Sequence, residues 1–396
     1  MYVIMSPTDI QRGQVVGTLS SLKRFDRARH GVPSSQSVRW QVSRMRLYKN
    51  VDWSSTKSSV RLVTLGSYPR IHPKIEMDQQ NFYREGHTVR KDGEIEFEML
   101  TIDGIALPEF PPARQPGGYP KRLNEIINMD TRPGDIILAT YPKNGTHWMS
   151  EILDMLVRGS ADYSKEKLVK LMESLPDMEM IYNLQSPRIL NTHLPYKWFP
   201  RKHIQNGGKI IHCARNPKDT YVSFYHHCSA GMELGPKTKG MTWTQFFDNC
   251  VIGKACLYGT WFDYMKEMEQ AKKNNKNIYT VHFERIKQDP AKEIKALAAF
   301  LELNVSDELL KDITDKCLFE NLKKVYEEEK EYPQEIQKMI QRLSEMSPDF
   351  KHPNIFRKGM VGDWKSHFTV AQNEQFDALY QTEMKDCNLG DSFQYI

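Results

Sequence analysis

The sequence contains no run of 18 or more apolar residues, which argues against a membrane-spanning helix. Its six cysteines form no C-x-x-C pair and show no metal-ligand spacing. We therefore expect reduced cytoplasmic thiols rather than disulfides or a zinc site. Internal repeats are also absent. With 396 residues, of which 39% are hydrophobic, the chain can hold one large or two ordinary domains.

The excess of positive charge is confined to the first part of the chain. Residues 1–75 carry 13 Lys and Arg against 3 Asp and Glu, whereas the whole chain has a net charge of +5. The remainder is therefore net negative, which gives no support for a nucleic-acid-binding surface. Residues 1–95, rich in Ser, Arg and Gln, are predicted to be a disordered extension. There are two alternatives: a mitochondrial transit peptide, or upstream sequence joined to an enzyme that starts near Met77.

From about residue 103 onwards, apolar runs alternate with helical patterns. The predicted strands are 135–140, 188–192, 209–214 and 278–283, and the predicted helices are 149–158, 165–175, 243–269, 291–303 and 370–384. This alternation predicts βαβ crossovers, and hence an α/β fold with a doubly wound parallel sheet and helices on both faces. Ligands of such sheets lie beyond the carboxyl ends of the strands, where the most informative residues of this chain fall.

The first segment that could carry chemistry is the loop at 143–148, Lys-Asn-Gly-Thr-His-Trp, between a predicted strand and a predicted helix. Gly145 permits a tight turn, and the backbone N–H groups of the next helical turn point towards an anion. Lys143 adds a full positive charge, and Trp148 lies where a base could stack. Because the lysine precedes the glycine, the loop differs from Walker A. We expect this P-loop-like segment to hold a phosphate-like group.

The second and third segments follow the next two strands. His193 comes after a short strand, where a mostly neutral imidazole could accept a proton from a hydroxyl, although a structural histidine fits the same position. Arg215 ends a buried strand, and Ser223 lies two helical turns further on. Arginine binds phosphate in bidentate fashion. A kinase or NTPase would usually place a Mg²⁺-binding Asp at this strand end, so the arginine favours an anion held by protein cations without a metal.

The fourth segment covers 356–365, where Arg357 and Lys358 precede Gly359 and a second glycine follows three residues later. Such a loop could close over a phosphate, and a basic exposed turn is the alternative.

Together the four segments resemble the cytosolic sulfotransferases, most closely the branch that acts on phenols and steroids. The matching motifs, in family order, are Thr140-Tyr141-Pro142-Lys143-x-Gly145-Thr146-x-Trp148, Thr192-His193-Leu194-Pro195, Ala214-Arg215-Asn216-Pro217-Lys218-Asp219 and Arg357-Lys358-Gly359-x-x-Gly362-Asp363-Trp364-Lys365. The resemblance runs from about residue 96 to the C-terminus, which implies a sulfotransferase domain at 96–396.

The resemblance implies that 3′-phosphoadenosine 5′-phosphosulfate (PAPS) donates a sulfuryl group to a hydroxyl or amine of a small, aromatic or steroid-like acceptor. It implies His193 as the general base and Lys143 as the group that stabilises charge on the leaving phosphate oxygen. The implied donor-binding residues are Lys143, Asn144, Gly145, Thr146, His147 and Trp148 at the 5′-phosphosulfate, Arg215, Ser223, Arg357, Lys358 and Gly359 at the 3′-phosphate, and Trp148, Phe283 and Phe319 at the adenine.

Several positions depart from the commonest family pattern. Asn191 stands where many relatives carry Lys, so one cation near the transferred group is lost. Asn144 and His147 replace small hydroxyl residues, which we expect to be tolerated because backbone amides do most of the binding there. Phe283 falls where relatives often have Tyr. The segment between Trp148 and His193 also looks about ten residues shorter than in many relatives, so the acceptor cannot be named by analogy.

Near the C-terminus, Lys365-x-x-x-Thr369-Val370-x-x-x-Glu374 resembles the short segment through which many relatives form homodimers. A few residues make a small interface, so any dimer would be weak. Alternatively, Thr369 simply caps the helix that follows.

Two other functions remain open. A P-loop kinase using ATP would need a Walker-type lysine and a magnesium ligand, and the position of Lys143 and the arginine at 215 count against it. A catalytically weak nucleotide-binding protein would keep the donor loop but lose transfer, and Asn191 motivates that alternative. Phe224, Tyr225, Phe246 and Phe247 suggest an aromatic acceptor pocket or, equally, part of the core.

Overall fold

The structure is a computed structural model that describes residues 83–164, 171–229, 238–328 and 356–387 together with Phe393. It begins with an antiparallel sheet of β1 (Glu85–Asp92), β2 (Ile95–Ile102) and β3 (Ile105–Leu107). The expectation of a disordered extension up to residue 95 is therefore wrong for 85–95. Strand β1 is charged and mostly exposed, and it is ordered by pairing with β2 along its whole length. The rest of the predicted extension, residues 1–82, lies outside the described residues.

The second sheet has four parallel strands and confirms the predicted α/β architecture. Its strands are β4 (Ile136–Thr140), β5 (Ile189–Thr192), β6 (Lys209–Ala214) and β7 (Ile278–His282), in the order β5-β4-β6-β7. The chain direction across the sheet reverses at β4, so the crevice beyond the ends of β4 and β6 is the topological switch point. Ligands bind at this place in doubly wound folds.

Helices connect and cover the strands. They are α1 (Gly118–Asn128), α2 (Thr146–Arg158), α3 (Glu179–Tyr182), α4 (Arg201–Gln205), α5 (Pro217–Cys228), α6 (Trp243–Phe246), α7 (Trp261–Asn274), α8 (Phe283–Gln288), α9 (Pro290–Phe300), α10 (Asp307–Lys316), α11 (Phe319–Glu328) and α12 (Val370–Met384). No helix in the described ranges is long and apolar enough to cross a bilayer.

Both faces of the parallel sheet are buried. Along β4, Ile137 and Ala139 pack into one hydrophobic cluster with residues of α1 and α7, while Ile136 and Leu138 pack into a second cluster with α2 and α9. A strand covered on both faces needs apolar residues at successive positions rather than alternate ones. This requirement explains why the strands were visible in the sequence as continuous apolar runs.

Two of the predicted helices are wrong in part. Residues 171–175 are not helical, and 165–170 lie outside the described residues. The predicted helix 243–269 is interrupted after α6 and a π-helix at Phe247–Ile252. Residue Leu257 then forms a bridge with Ala106, and Thr260 caps a new helix, α7, by accepting from the Asp263 amide. A tertiary contact with the small sheet therefore breaks a helical pattern.

A buried ion pair joins the start of β4 to the segment before β5. The Arg188 and Asp135 side chains are both fully buried, and Arg188 Nε donates to Asp135 Oδ1 at 3.0 Å. The guanidinium also donates to the carbonyl oxygen of Ile181. Since these two strands lie side by side, the pair fixes the edge of the sheet that carries the predicted base.

Replacing Arg188 by Leu should leave a buried, uncompensated carboxylate at Asp135. We expect the free energy of unfolding to fall by about 3–5 kcal/mol, measured by urea denaturation. Lys202→Ala, which breaks an exposed ion pair with Asp130, is the control and should cost less than about 1 kcal/mol. Equal losses in the two variants would contradict a special contribution from the buried pair.

Candidate functional site

The loop after β4 turns through two residues with left-handed backbone angles. Gly145 has φ 102°, as expected for a tight glycine turn, but Lys143 also has φ 69°. Helix α2 begins directly at Thr146, three residues earlier than predicted, so the amides of its first turn follow the glycine. Backbone N–H groups at a helix start and a lysine charge are the groups that favour an anion, and here they lie at the switch point of the sheet.

His193 is held at the end of β5 by contacts with Thr140, the last residue of β4. Its Nδ1 lies 2.7 Å from the Thr140 carbonyl oxygen and 3.1 Å from Thr140 Oγ1. Because a carbonyl oxygen can only accept, Nδ1 carries the proton in the neutral ring, and Nε2 is the nitrogen with the lone pair. The ring is 8% exposed and packs edge-on against Tyr258. This geometry suits a proton acceptor.

Glu173 orders the histidine segment and was missed in the sequence. This buried carboxylate accepts from the His193 amide at 2.8 Å and from Thr192 Oγ1 at 2.9 Å. It lies within a stretch that the pattern predicted as helix, so no local signal marked it. These hydrogen bonds hold the His193 backbone amide and the Thr192 side chain in place.

Arg215 joins the loop to the next strand. It is 7% exposed, its Nη1 donates to the Lys143 carbonyl oxygen at 2.9 Å, and its guanidinium lies 4.4 Å from the Phe283 ring centroid. Burial lowers the pKa of the guanidinium, against the opposing effect of Asp219. Since arginine stays charged in proteins, this is a buried cation at the end of β6.

The segment at 356–366 brings two further cations to the same place. Arg357 and Lys358 both donate to the carboxylate of Asp363, at 2.5 and 2.6 Å. Burial alone would raise the pKa of Asp363, but the hydrogen bonds from Lys358 and Arg357 outweigh it and lower the pKa to about 2. Asp363 is therefore a permanent anion near neutral pH, and it holds the two cations together.

Asp219, at the start of α5, ties this segment to the sheet. Its carboxylate accepts from the backbone amides of Gly362 at 2.7 Å and of Trp364 at 2.9 Å. Neither Asp219 nor Asp363 was singled out as a functional residue in the sequence, although both belong to the quoted motifs. The sequence shows that each aspartate lies in one of the motifs. It does not show that the Asp219 carboxylate anchors the backbone around Asp363.

Three aromatic residues line the same region. Trp148 packs edge-on against Phe283 with ring centroids 5.1 Å apart, and its Nε1 donates to the Cys317 carbonyl oxygen at 2.8 Å. The ring of Phe319 lies against Gly359, where a Cβ atom would clash with it. The predicted residues of the first, third and fourth segments are thus brought into contact with one another.

Four predicted positions have a less direct place in this arrangement. Ser223 is half-buried on α5, and its side chain forms no hydrogen bond with another predicted residue among the described residues. Burial, then the charges of Lys143 and the neighbouring histidines, lower the pKa of His147 to about 3, so it is neutral. Asn191 is 5% exposed, and its Oδ1 has no hydrogen-bond partner within the described ranges. The amide of Asn144 is turned into the protein, where it bonds to Cys213 and Thr220.

The comparisons with known proteins agree on one family. The model of a sulfotransferase domain matches residues 133–388. Sulfotransferase 1B1 of Mus musculus is 35% identical over 289 residues, 69% of this chain and 92% of the relative. Cytosolic sulfotransferase 1 of Danio rerio is 31% identical over 283 residues, 68% and 89% respectively. A crystal structure of mouse sulfotransferase SULT7A1 complexed with PAP has a TM-score of 0.56 and 27% identity, covering 77% of this chain and 97% of that one.

Gly145→Ala should destabilise the loop for two reasons. A φ of 102° is unfavourable for a residue with a Cβ, and that Cβ would lie 3.0 Å from the Phe283 ring. We expect a loss of about 1–3 kcal/mol of unfolding free energy in urea titrations. Gly159→Ala is the comparison variant, since φ there is 64°, also left-handed, but a Cβ would meet nothing within 4 Å, so its smaller loss reports the backbone cost without a clash. A larger loss at 159 than at 145 would refute this account of the turn.

Proposed function

The chain belongs to the sulfotransferase family, and we propose that it transfers the sulfuryl group of PAPS to a hydroxyl or amine of a small acceptor. By resemblance to the phenol and steroid branch, the acceptor is aromatic or steroid-like. The SULT7A1 crystal structure contains PAP, which is the donor without its sulfuryl group. The described residues contain two sets of anion-binding groups that fit its two phosphate ends.

One observation supports this proposal most directly. The Nε atoms of Arg215 and Arg357 are both buried, and neither has a hydrogen-bond partner among the described residues. Buried guanidinium donors are costly to leave unsatisfied, so the site favours a ligand with acceptor oxygens at this position. The 3′-phosphate of PAPS offers them. The 5′-phosphosulfate would then lie at Lys143 and the start of α2, with the adenine at Trp148, Phe283 and Phe319.

The proposed reaction assigns different tasks to His193 and Lys143. His193 Nε2 takes the proton from the acceptor hydroxyl or amine as its oxygen or nitrogen attacks sulfur. The bond from sulfur to the phosphate oxygen breaks in line, and Lys143 stabilises the negative charge that develops on that oxygen. The Thr140 carbonyl supports this role of the histidine because it fixes the protonated nitrogen on the opposite side of the ring.

One assay distinguishes the proposal from the two alternatives, a P-loop kinase and a catalytically weak nucleotide-binding protein. The full chain is incubated with PAPS labelled in the sulfuryl group and with panels of phenols, steroids and amines. Labelled product supports the proposal, whereas PAPS binding without product favours the catalytically weak protein suggested by Asn191. Magnesium-dependent consumption of ATP would favour the kinase.

We also propose a cytoplasmic location and a weak homodimer. The Danio rerio relative is named a cytosolic protein. Lys365, Thr369, Val370 and Glu374 are all exposed, and Val370 is 77% exposed at the start of α12. Thr369 caps this helix through a capping box with Gln372, so the capping role expected as an alternative is present as well. An exposed valine beside a rigid helix start is suited to a small contact between two copies.

His193→Ala should lower kcat by about 10²–10⁴-fold if the imidazole is the general base. The affinity for PAP, measured by calorimetry, should stay nearly unchanged because the ring takes no part in phosphate binding. Arg215→Ala is the reciprocal variant and should mainly weaken PAP binding. A His193→Ala enzyme with normal turnover would rule out the proposed base.

Val370→Glu should abolish any homodimer by placing a charge in the centre of a small apolar contact. Light scattering over a range of protein concentrations measures the fraction of dimer. Val89→Glu, at another exposed valine on β1 that is 50% accessible, is the matched control. Dimerisation that survives in the Val370 variant would place the interface elsewhere.

A further inference from the structure

Asn144 lies in the phosphate-binding loop, but its side chain does not face the loop's open side. The residue is completely buried, and it stands between the two left-handed residues Lys143 and Gly145. A left-handed conformation is unfavourable for a residue with a Cβ and persists only where the surroundings enforce it. The lysine backbone must therefore be held by contacts, and its neighbour Asn144 supplies them.

The hydrogen bonds of Asn144 run to three different elements. Its Nδ2 donates to the Cys213 carbonyl oxygen at the end of β6, at 3.2 Å. Its Oδ1 accepts from Thr220 Oγ1 on α5, at 2.8 Å. Its backbone N–H donates to the Tyr141 carbonyl oxygen at 3.1 Å, and its carbonyl oxygen accepts from Cys213 Sγ at 2.9 Å. The residue is thus tied to the ends of β4 and β6 and to α5.

Cys213 can keep its part of this arrangement at all physiological pH values. Burial raises the pKa of the thiol far above its usual range, and the neighbouring carboxylate of Glu284 adds to the effect. The sulfur therefore stays protonated and continues to donate. Thr220 is also completely buried, so water does not replace Asn144 as the hydrogen-bond partner of its hydroxyl.

We propose that Asn144, Thr220 and Cys213 form a buried latch that positions Lys143 for sulfuryl transfer. The proposal rests on the proposed function, since it concerns the lysine that would stabilise the leaving oxygen. The latch fixes Asn144, and the peptide between Lys143 and Asn144 is held at both ends: its N–H donates to the Tyr141 carbonyl oxygen, and its carbonyl oxygen accepts from Arg215. With this peptide held, the lysine side chain starts from a defined backbone geometry.

The chemistry of the side chain explains why an amide serves here. A carboxamide presents a donor and an acceptor at once, in fixed relative positions. It can therefore satisfy the Cys213 carbonyl and the Thr220 hydroxyl together. A serine or threonine at this position would be shorter and would have a single rotating O–H, so it could not replace both contacts. The amide at 144 and the hydroxyl at 220 are therefore expected to act as one unit.

The test uses Thr220→Val, which removes the hydroxyl from the latch and leaves the loop sequence intact. We expect kcat to fall about 3- to 10-fold, the effect of one lost hydrogen bond on transition-state positioning. The dissociation constant of PAP should change less than about twofold, because a single loop contact contributes little to binding beside the arginine contacts. Thr220→Ser keeps the hydroxyl and should restore kcat. Thr382→Val, which removes a hydroxyl bonded to Ala378 on α12, should leave kcat unchanged.

A double-mutant cycle tests whether Asn144 and Thr220 act through the same hydrogen bond. Asn144→Ala and Thr220→Val should be non-additive in kcat, since either change opens the same latch. Normal kcat in Thr220→Val, additive effects, or a fall in kcat matched by an equal loss of PAP affinity would each overturn the proposal.

A readout without sulfuryl transfer separates this proposal from the proposed function. Amide hydrogen exchange, followed by mass spectrometry, should be faster for the peptide covering 143–146 in Thr220→Val than in the wild type and in Thr382→Val. Unchanged exchange would refute the latch even if the wild type transferred no sulfuryl group. Faster exchange together with an inactive wild type would instead refute the proposed function and leave the latch standing.

Discussion

The buried guanidinium of Arg215 is the contact on which the whole site depends. It lies at the end of β6, donates to the carbonyl oxygen of Lys143, and stacks on the ring of Phe283. Its Nη2 also reaches the Met360 carbonyl oxygen at 3.5 Å, beyond the paired cations Arg357 and Lys358. A single charged group thus connects the loop after β4, the aromatic cluster and the C-terminal segment. Burying such a cation is favourable only where acceptors surround it.

The two aspartates explain how three cations are kept close together. Asp363 neutralises part of the charge of Arg357 and Lys358, and Asp219 holds the backbone on either side of Asp363. Like charges repel strongly in a medium of low dielectric constant. The carboxylates therefore allow the cationic cluster to form in advance, so that less reorganisation is needed when an anion binds. In this arrangement the anionic residues are as necessary as the basic ones.

The sequence predicted the elements that are buried on both sides and missed those that depend on partners. Strand β6 has the predicted limits because its apolar run is continuous, and α12 begins where Thr369 supplies a capping box. Strand β1 could not be recognised, since its mostly exposed, charged sequence is ordered only by β2. The positions of His193 and Arg215, each directly after a strand of the parallel sheet, could be predicted from the apolar runs that precede them. The left-handed backbone of Lys143 could not, because distant residues enforce it.

The central claim is that one nucleotide with two anionic ends is held by cations beyond the carboxyl ends of the parallel strands. Calorimetry on the full chain with adenosine 3′,5′-bisphosphate and with adenosine 5′-monophosphate tests it directly, since the two ligands differ only in the 3′-phosphate. The account predicts clearly tighter binding of the bisphosphate, with the difference largely lost in Arg215→Ala. Equal affinities of the wild type for both nucleotides, or no binding of the bisphosphate, would contradict it.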